Sequence, residues 1–114
     1  MLTTMSLIKA FVEFVGAFVF FYVIRTASTF GNVAPLAVGL TLTAIIFFGG
    51  AITGGHYNPA VTIMEYVAGD DKRMDGEHSI VYVISQLLGA VLAVYVQREW
   101  SKISSVSNLA VRVY

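Results

Sequence analysis

The residues that could do chemistry in this chain are few, and one short stretch holds most of them. Residues 53–62 read TGGHYNPAVT, with two glycines, a histidine, an asparagine and a proline between apolar runs. Asparagine is among the best helix N-caps, and proline is favoured at the first helical position, where its missing N–H costs nothing. Asn58 and Pro59 therefore start a helix, with Ala60 next in line. The first turn of a helix carries roughly half a positive charge and several unpaired N–H donors. In a low-dielectric surround that end repels cations and offers hydrogen bonds to a neutral oxygen. Asn58 can cap the helix with its carbonyl oxygen while its amide nitrogen points into a lumen. His56 either lines a vestibule beside this end or only hydrogen-bonds the loop. No second histidine or carboxylate sits at ligand spacing beside it, so a metal site is not expected. With no nucleophile–base pair either, the sequence predicts no catalytic residue, no cofactor and no enzyme.

Two more polar side chains stand inside apolar runs. Glu13 interrupts VEFVGAFVFFY and Gln86 interrupts YVISQLLGAVLA. An acid inside a membrane is a candidate functional group by default, because burying it is costly. Glu13 could instead pair with Lys9, one helical turn earlier. Gln86 could fasten its helix to the 53–62 stretch or to a neighbouring helix.

The elements that must position these groups follow from composition and length. At 57% hydrophobic and 12% charged over 114 residues, the chain lies far from the roughly 25% charged of soluble domains. It reads as one all-α membrane protein unit, residues 1–114, with lipid as its surroundings. Zero net charge and no Lys/Arg run longer than two exclude a nucleic-acid stripe as partner site. No cysteine is present, which removes disulfides and thiolate chemistry. Lys9 ahead of an apolar stretch resembles a secretory leader, but Glu13, Arg25 and the lack of a small-x-small cleavage site mark it as mature structure.

A helix needs about 20 residues to cross the hydrocarbon layer. Residues 6–25, 33–52 and 79–97 meet that length and predict three transmembrane helices. The apolar piece Pro59–Ala68 reaches only about 15 Å, half the bilayer, at 1.5 Å per residue. It runs into GDDKRMDGEH, a charged loop that must lie in water. Residues 53–68 thus enter and leave on one side, as a re-entrant half-helix. Backbone at membrane depth persists only where protein or a water-filled cavity satisfies it, so this piece implies a pore or a site. Residues 98–114 are left as a tail without assigned structure. Ser85, Gly89 and Ala93 form a small-residue stripe suited to close helix crossing. Glycines 16, 39, 49 and 50 read as packing in the same way. Trp100 and the tyrosines near segment ends read as interfacial anchors. Asp70, Asp71, Lys72, Arg73, Asp75 and Glu77 read as a solvated loop.

GGHYNPAVT between a spanning helix and a half-length one resembles the first re-entrant loop of the aquaporin, or major intrinsic protein, family. Glu13 resembles the family's first-helix glutamate, LAVGLTLTAI its second helix, and Gln86 its third-helix glutamine. The resemblance covers one of the two inverted halves that family members carry, the N-terminal repeat. It implies half of an aquaporin fold, with Glu13 and Gln86 as structural support for the loop. The second half's signature, Asn-Pro-Ala followed by arginine, is absent, because Val61 follows Ala60. Carried over by position, the pore constriction matches Val38, Ile46, Gly55 and Val61. That apolar ring lacks the family's constricting arginine and histidine, so small neutral solutes such as glycerol, urea or gases join water as expected cargo.

One half-helix needs an inverted partner. The expected loops place Lys9, Lys72 and Arg73 on one side and Arg25, Arg98, Lys102 and Arg112 on the other. The amino terminus brings the smaller group level. Balanced charge permits insertion in both orientations. The expectation is therefore a passive channel built by an antiparallel, dual-topology homodimer, with Asn58 of both copies meeting at the midplane. Resemblance implies four pores and eight copies per assembly, in the plasma or inner membrane of the cell. Two other classes compete. One is a proton-coupled exporter that uses Glu13, as in the small multidrug resistance family, and the other is a membrane fragment without transport.

Overall fold

The computed structural model describes residues 2–113 and is helical, with no strand among them. Helix α1 spans Thr4–Thr26, capped by Thr3, whose hydroxyl accepts from the Ser6 N–H at 3.2 Å. A short 3-10 segment, Ala27–Val33, breaks at Gly31, whose φ of 59° and ψ of −131° no side-chain-bearing residue takes readily. Helix α2 spans Ala34–Thr53, with Pro35 in its first turn, and stops at Gly54 in a left-handed conformation. Helix α3 is Pro59–Ala68, ten residues between the Asn58 cap and a left-handed Gly69. Helix α4 is Gly76–Val113. Asp75 caps α4, its carboxylate accepting the His78 N–H at 2.8 Å.

Among the described residues two stretches are long and apolar enough to cross a membrane, namely Thr4–Thr53, which holds α1 and α2, and Gly76–Val106. Helix α4 does not end where the apolar run does. Its 38 residues amount to about 57 Å at 1.5 Å per residue, close to the 60 Å long axis of the chain. The expected tail from residue 98 onward is thus helical to Val113. A charged cluster ends a membrane span, but only a glycine, a proline or a competing cap ends a helix. Tyr114 lies outside the described residues, as does the side chain of Arg112.

The chain is apolar outside, and its interior sets polar side chains beside apolar ones such as Val12 and Ile45. Its largest fully buried side chains are Tyr57, Gln86, Glu13 and Thr62, while Phe47, Val67, Phe48 and Phe11 are 65–87% exposed. An apolar exterior of this extent needs lipid or another protein surface to cover it. Helices α1 and α4 approach closely at Gly89, where an added Cβ would stand 2.5 Å from the Phe14 carbonyl oxygen and 3.0 Å from the Phe18 nitrogen. Ala93 and Ala17 are fully buried beside this crossing, so the small-residue stripe does pack. Gly39 does not within this chain, since an added Cβ there would meet nothing beyond its own helix backbone within 4 Å.

The loop after α3 is tied by its own charges. Arg73 forks onto Asp71, with Nε 2.9 Å from Oδ1 and NH2 2.9 Å from Oδ2, and donates its backbone N–H to Oδ1 at 2.9 Å. These bonds hold the Asp71 carboxyl down at about 2. A folded-state value below the ordinary one means the contact stabilises above about pH 4 and is lost as pH falls through the depressed value. We expect the Asp71 carboxyl carbon to titrate by NMR with a midpoint near 2, and Arg73→Gln to return it toward about 3.9.

Candidate functional site

The site is the junction of α2 and α3, residues 53–62, with the side chains of α1 and α4 that hold it. Three residues of this short turn, Gly54, Gly55 and Tyr57, take positive φ (93°, 68° and 53°). The glycines adopt it freely, while Tyr57 must be held. Beside the hydrogen bond from its N–H to Glu13, two side-chain contacts hold it. Its hydroxyl donates to the Ile45 carbonyl at 2.7 Å, and its ring lies against Gly16 of α1 and Gly49 of α2, where a Cβ on either glycine would collide with it. The Thr53 hydroxyl receives the Gly55 N–H at 2.9 Å, and the Thr53 carbonyl accepts the Tyr82 hydroxyl of α4 at 2.9 Å.

So tight a turn leaves backbone N–H groups without helical partners, and Glu13 takes two of them. Fully buried, its Oε1 accepts from His56 N at 3.2 Å and its Oε2 from Tyr57 N at 2.6 Å. Gln86 Nε2 adds a third donor at 2.8 Å to Oε2. The acid thus gains three hydrogen bonds against the cost of its burial. Among the described residues it makes no ion pair with Lys9.

The network continues from Gln86 into α3. The same amide donates to Thr62 Oγ1 at 2.8 Å, and Thr62 also lies 3.0 Å from His56 Nδ1 and 3.2 Å from Gln86 Oε1. Both amide protons are then used, so the Thr62 proton goes either to His56 Nδ1 or to Gln86 Oε1. The His56 tautomer follows that choice. His56 is buried, and its ring and that of Tyr82 meet edge to face, with centroids 5.4 Å apart. Every buried side-chain nitrogen and oxygen among the described residues has a partner.

Asn58 faces the other way. Its Oδ1 caps α3 by accepting the Ala60 N–H at 2.9 Å at an exposed position. The amide nitrogen of Asn58 takes no partner among the described residues. Half-buried Pro59 follows as the first helical residue, and Ala60 is exposed. One helix end therefore presents an amide donor outward while its flank is locked from behind.

A model of the major intrinsic protein family matches residues 1–113. The chain belongs to that family. Major intrinsic proteins are channels and not enzymes, and the chain is an integral membrane protein. It is 37% identical over 90 residues to glycerol uptake facilitator protein-like 6 of Lactiplantibacillus plantarum, covering 75% of this chain and 40% of that protein. It is 47% identical over 58 residues to aquaporin Z of Photorhabdus laumondii, covering 51% and 24%. A probable aquaporin TIP-type of Medicago truncatula is 42% identical over 60 residues, covering 53% and 23%. The chain thus spans less than half the length of these relatives. No solved structure matches it.

Of the constriction residues that the major intrinsic protein resemblance assigns, Ile46 and Gly55 meet. An Ile46 side-chain carbon lies 3.5 Å from where a Gly55 Cβ would stand, and Ile46 is 45% exposed. Val61 is half-buried in the first turn of α3. Val38 stands eight residues before Ile46, about 12 Å away along α2, so one chain does not bring all four together. Four residues of the site escape a reading of the sequence, namely Thr53, Tyr57, Thr62 and Tyr82. Thr62 carries a signal, as a hydroxyl one helical turn after the Asn58 cap.

Proposed function

We propose that this major intrinsic protein is a passive channel for water and small neutral solutes, completed by an inverted second copy of itself. The observation that carries the reading is Asn58, which caps a ten-residue helix with one amide atom and leaves the other free at an accessible surface. A cap of this kind, at the positive end of a helix too short to span, offers a neutral molecule a hydrogen bond and repels a cation. In this reading α1, α2 and α4 cross the membrane, and residues 53–68 re-enter from one side. The two copies of Asn58 meet midway. Pro59 and Ala60 line the passage with them, Val38, Ile46, Gly55 and Val61 ring its mouths, and His56 sits behind the wall. Four such pores from eight copies make the assembly.

The apolar ring and the glycerol-facilitator relative support a cargo that includes polyols as well as water. The plasma or inner membrane is the proposed location, in keeping with the bacterial relatives. Glu13 supports passive flow over proton coupling, because its oxygens are already engaged by three donors packed inside the chain.

The test uses the chain alone. Proteoliposomes containing only this protein should shrink faster than empty ones in stopped-flow light scattering under an osmotic step. Because the sequence lacks cysteine, Leu2→Cys and Phe30→Cys each supply one label without touching the charge balance. Each should be half accessible to an impermeant maleimide from outside intact cells or oriented vesicles. Flux equal to empty liposomes overturns the channel, and labelling of each position from one side only overturns the homodimer.

A further inference from the structure

We propose that the cleft between the end of α1 and the outer part of α4 is a binding site for the phosphate of a phospholipid. The cleft has a volume of ≈ 530 Å³, on the scale of small-molecule sites. Arg25, Ser28 and Thr29 line it from one side, and Gln97, Trp100 and Ser101 from the other. Among the described residues the Arg25 guanidinium spends one bond inside the chain, from NH2 to Gln97 Oε1 at 3.2 Å. A guanidinium carries five N–H donors in a fork that matches two phosphate oxygens. The Gln97 bond holds that fork at the cleft, and hydroxyls surround it.

The position selects a lipid over a free anion. The cleft opens where the apolar face of α1 ends at Arg25 and α4 reaches Trp100, an indole 62% exposed at the expected headgroup level. Trp100 is shared with a second groove of ≈ 300 Å³, lined also by Tyr95, Val96 and Ile103, whose surface is almost wholly apolar. One indole therefore separates a cationic, hydroxyl-rich hollow from an apolar one, which suits a headgroup with its acyl chain alongside. The acid on that groove, Glu99, is neutralised by Lys102 at 2.6 Å. Basic hollows between membrane helices near the interface hold phospholipid headgroups by this chemistry.

The chain has a single tryptophan, and it stands in the site. In neutral maltoside micelles, phosphatidylglycerol with brominated acyl chains should quench Trp100 fluorescence saturably. Its half-saturation should lie at least ~10-fold below that of diacylglycerol with the same chains, a factor worth about one decade of binding constant. Arg25→Gln should erase that difference, Arg25→Lys should keep part of it by charge alone, and Arg98→Gln should leave it in place. Equal quenching by both lipids, or a preference that survives Arg25→Gln, overturns the proposal. Displacement of the lipid by inorganic phosphate at matching concentration assigns the cleft to free anions and overturns it as well. Absence of quenching by either lipid means that protein covers the cleft, and the proposal falls there too. The readout is binding, so it stands or falls independently of solute flux.

Discussion

Glu13→Ala should cost the protein about 2–6 kcal/mol of stability, because it leaves two buried backbone donors without acceptors at about 1–3 kcal/mol each. The donors are the N–H groups of His56 and Tyr57, at 3.2 and 2.6 Å from the carboxylate, and among the described residues no other acceptor receives them. Tyr57 also holds a positive φ of 53°, a conformation that persists only while its surroundings enforce it. Releasing its N–H removes one of those constraints. Glu13→Gln should be damaged too, since an amide nitrogen would face either the His56 N–H or both the Tyr57 N–H and the Gln86 amide, donor against donor. Glu13→Asp is one methylene shorter and should fall between. Unfolding in detergent, followed by circular dichroism against temperature, should rank wild type above Asp, and Asp above Gln and Ala. An unchanged melting temperature in Glu13→Ala, with osmotic flux intact, would show that the loop stands without the acid.

That result would also separate what the sequence reveals from what it conceals. The ends of α3 are legible because they rest on local chemistry: Asn58 accepts from Ala60, Pro59 has no N–H that needs an acceptor, and the charged run after Ala68 must meet water. The loop network is not legible from spacing. Glu13 and its two backbone donors are 43 and 44 residues apart, a separation no periodicity encodes, and only the family resemblance points there. Tyr57 illustrates a different blindness. Its left-handed backbone is not one its residue type favours, so the sequence offers no warning. The clue lies elsewhere, in Gly16 and Gly49. Both read as ordinary small residues at a helix crossing, whereas their missing side chains make room for the Tyr57 ring. Helix α4 shows a different limit. Arg98, Glu99 and Trp100 mark the end of the apolar span and leave the tail without assigned structure, yet no glycine or proline occurs between residues 98 and 113 to stop a helix.

A tryptophan in place of Val61 should reduce osmotic water flux at least ~10-fold, toward the rate of empty liposomes, since an indole, which buries some 150–250 Å² when enclosed, takes up far more of a narrow passage than the valine it replaces. Val61 is half-buried in the first turn of α3, directly after exposed Ala60 and three residues past the Asn58 cap. The bonds that hold this turn come from Asn58 and from Thr62, which is rotated about 100° away around the helix at 3.6 residues per turn, so the substitution leaves them in place. In a pore with twofold symmetry each passage carries the residue at both mouths, and one substitution narrows it twice. Val67→Trp is the matched control. That residue lies on the same helix, 76% exposed near its far end, and the added ring should leave flux within about twofold of wild type. Val61→Ala should conduct as well as wild type or better. Circular dichroism melting separates a plugged pore from a misfolded chain, because a plugged variant melts as wild type does. Full flux through a normally folded Val61→Trp would remove Val61 from the passage, and with it the symmetric ring that sets the proposed mouths.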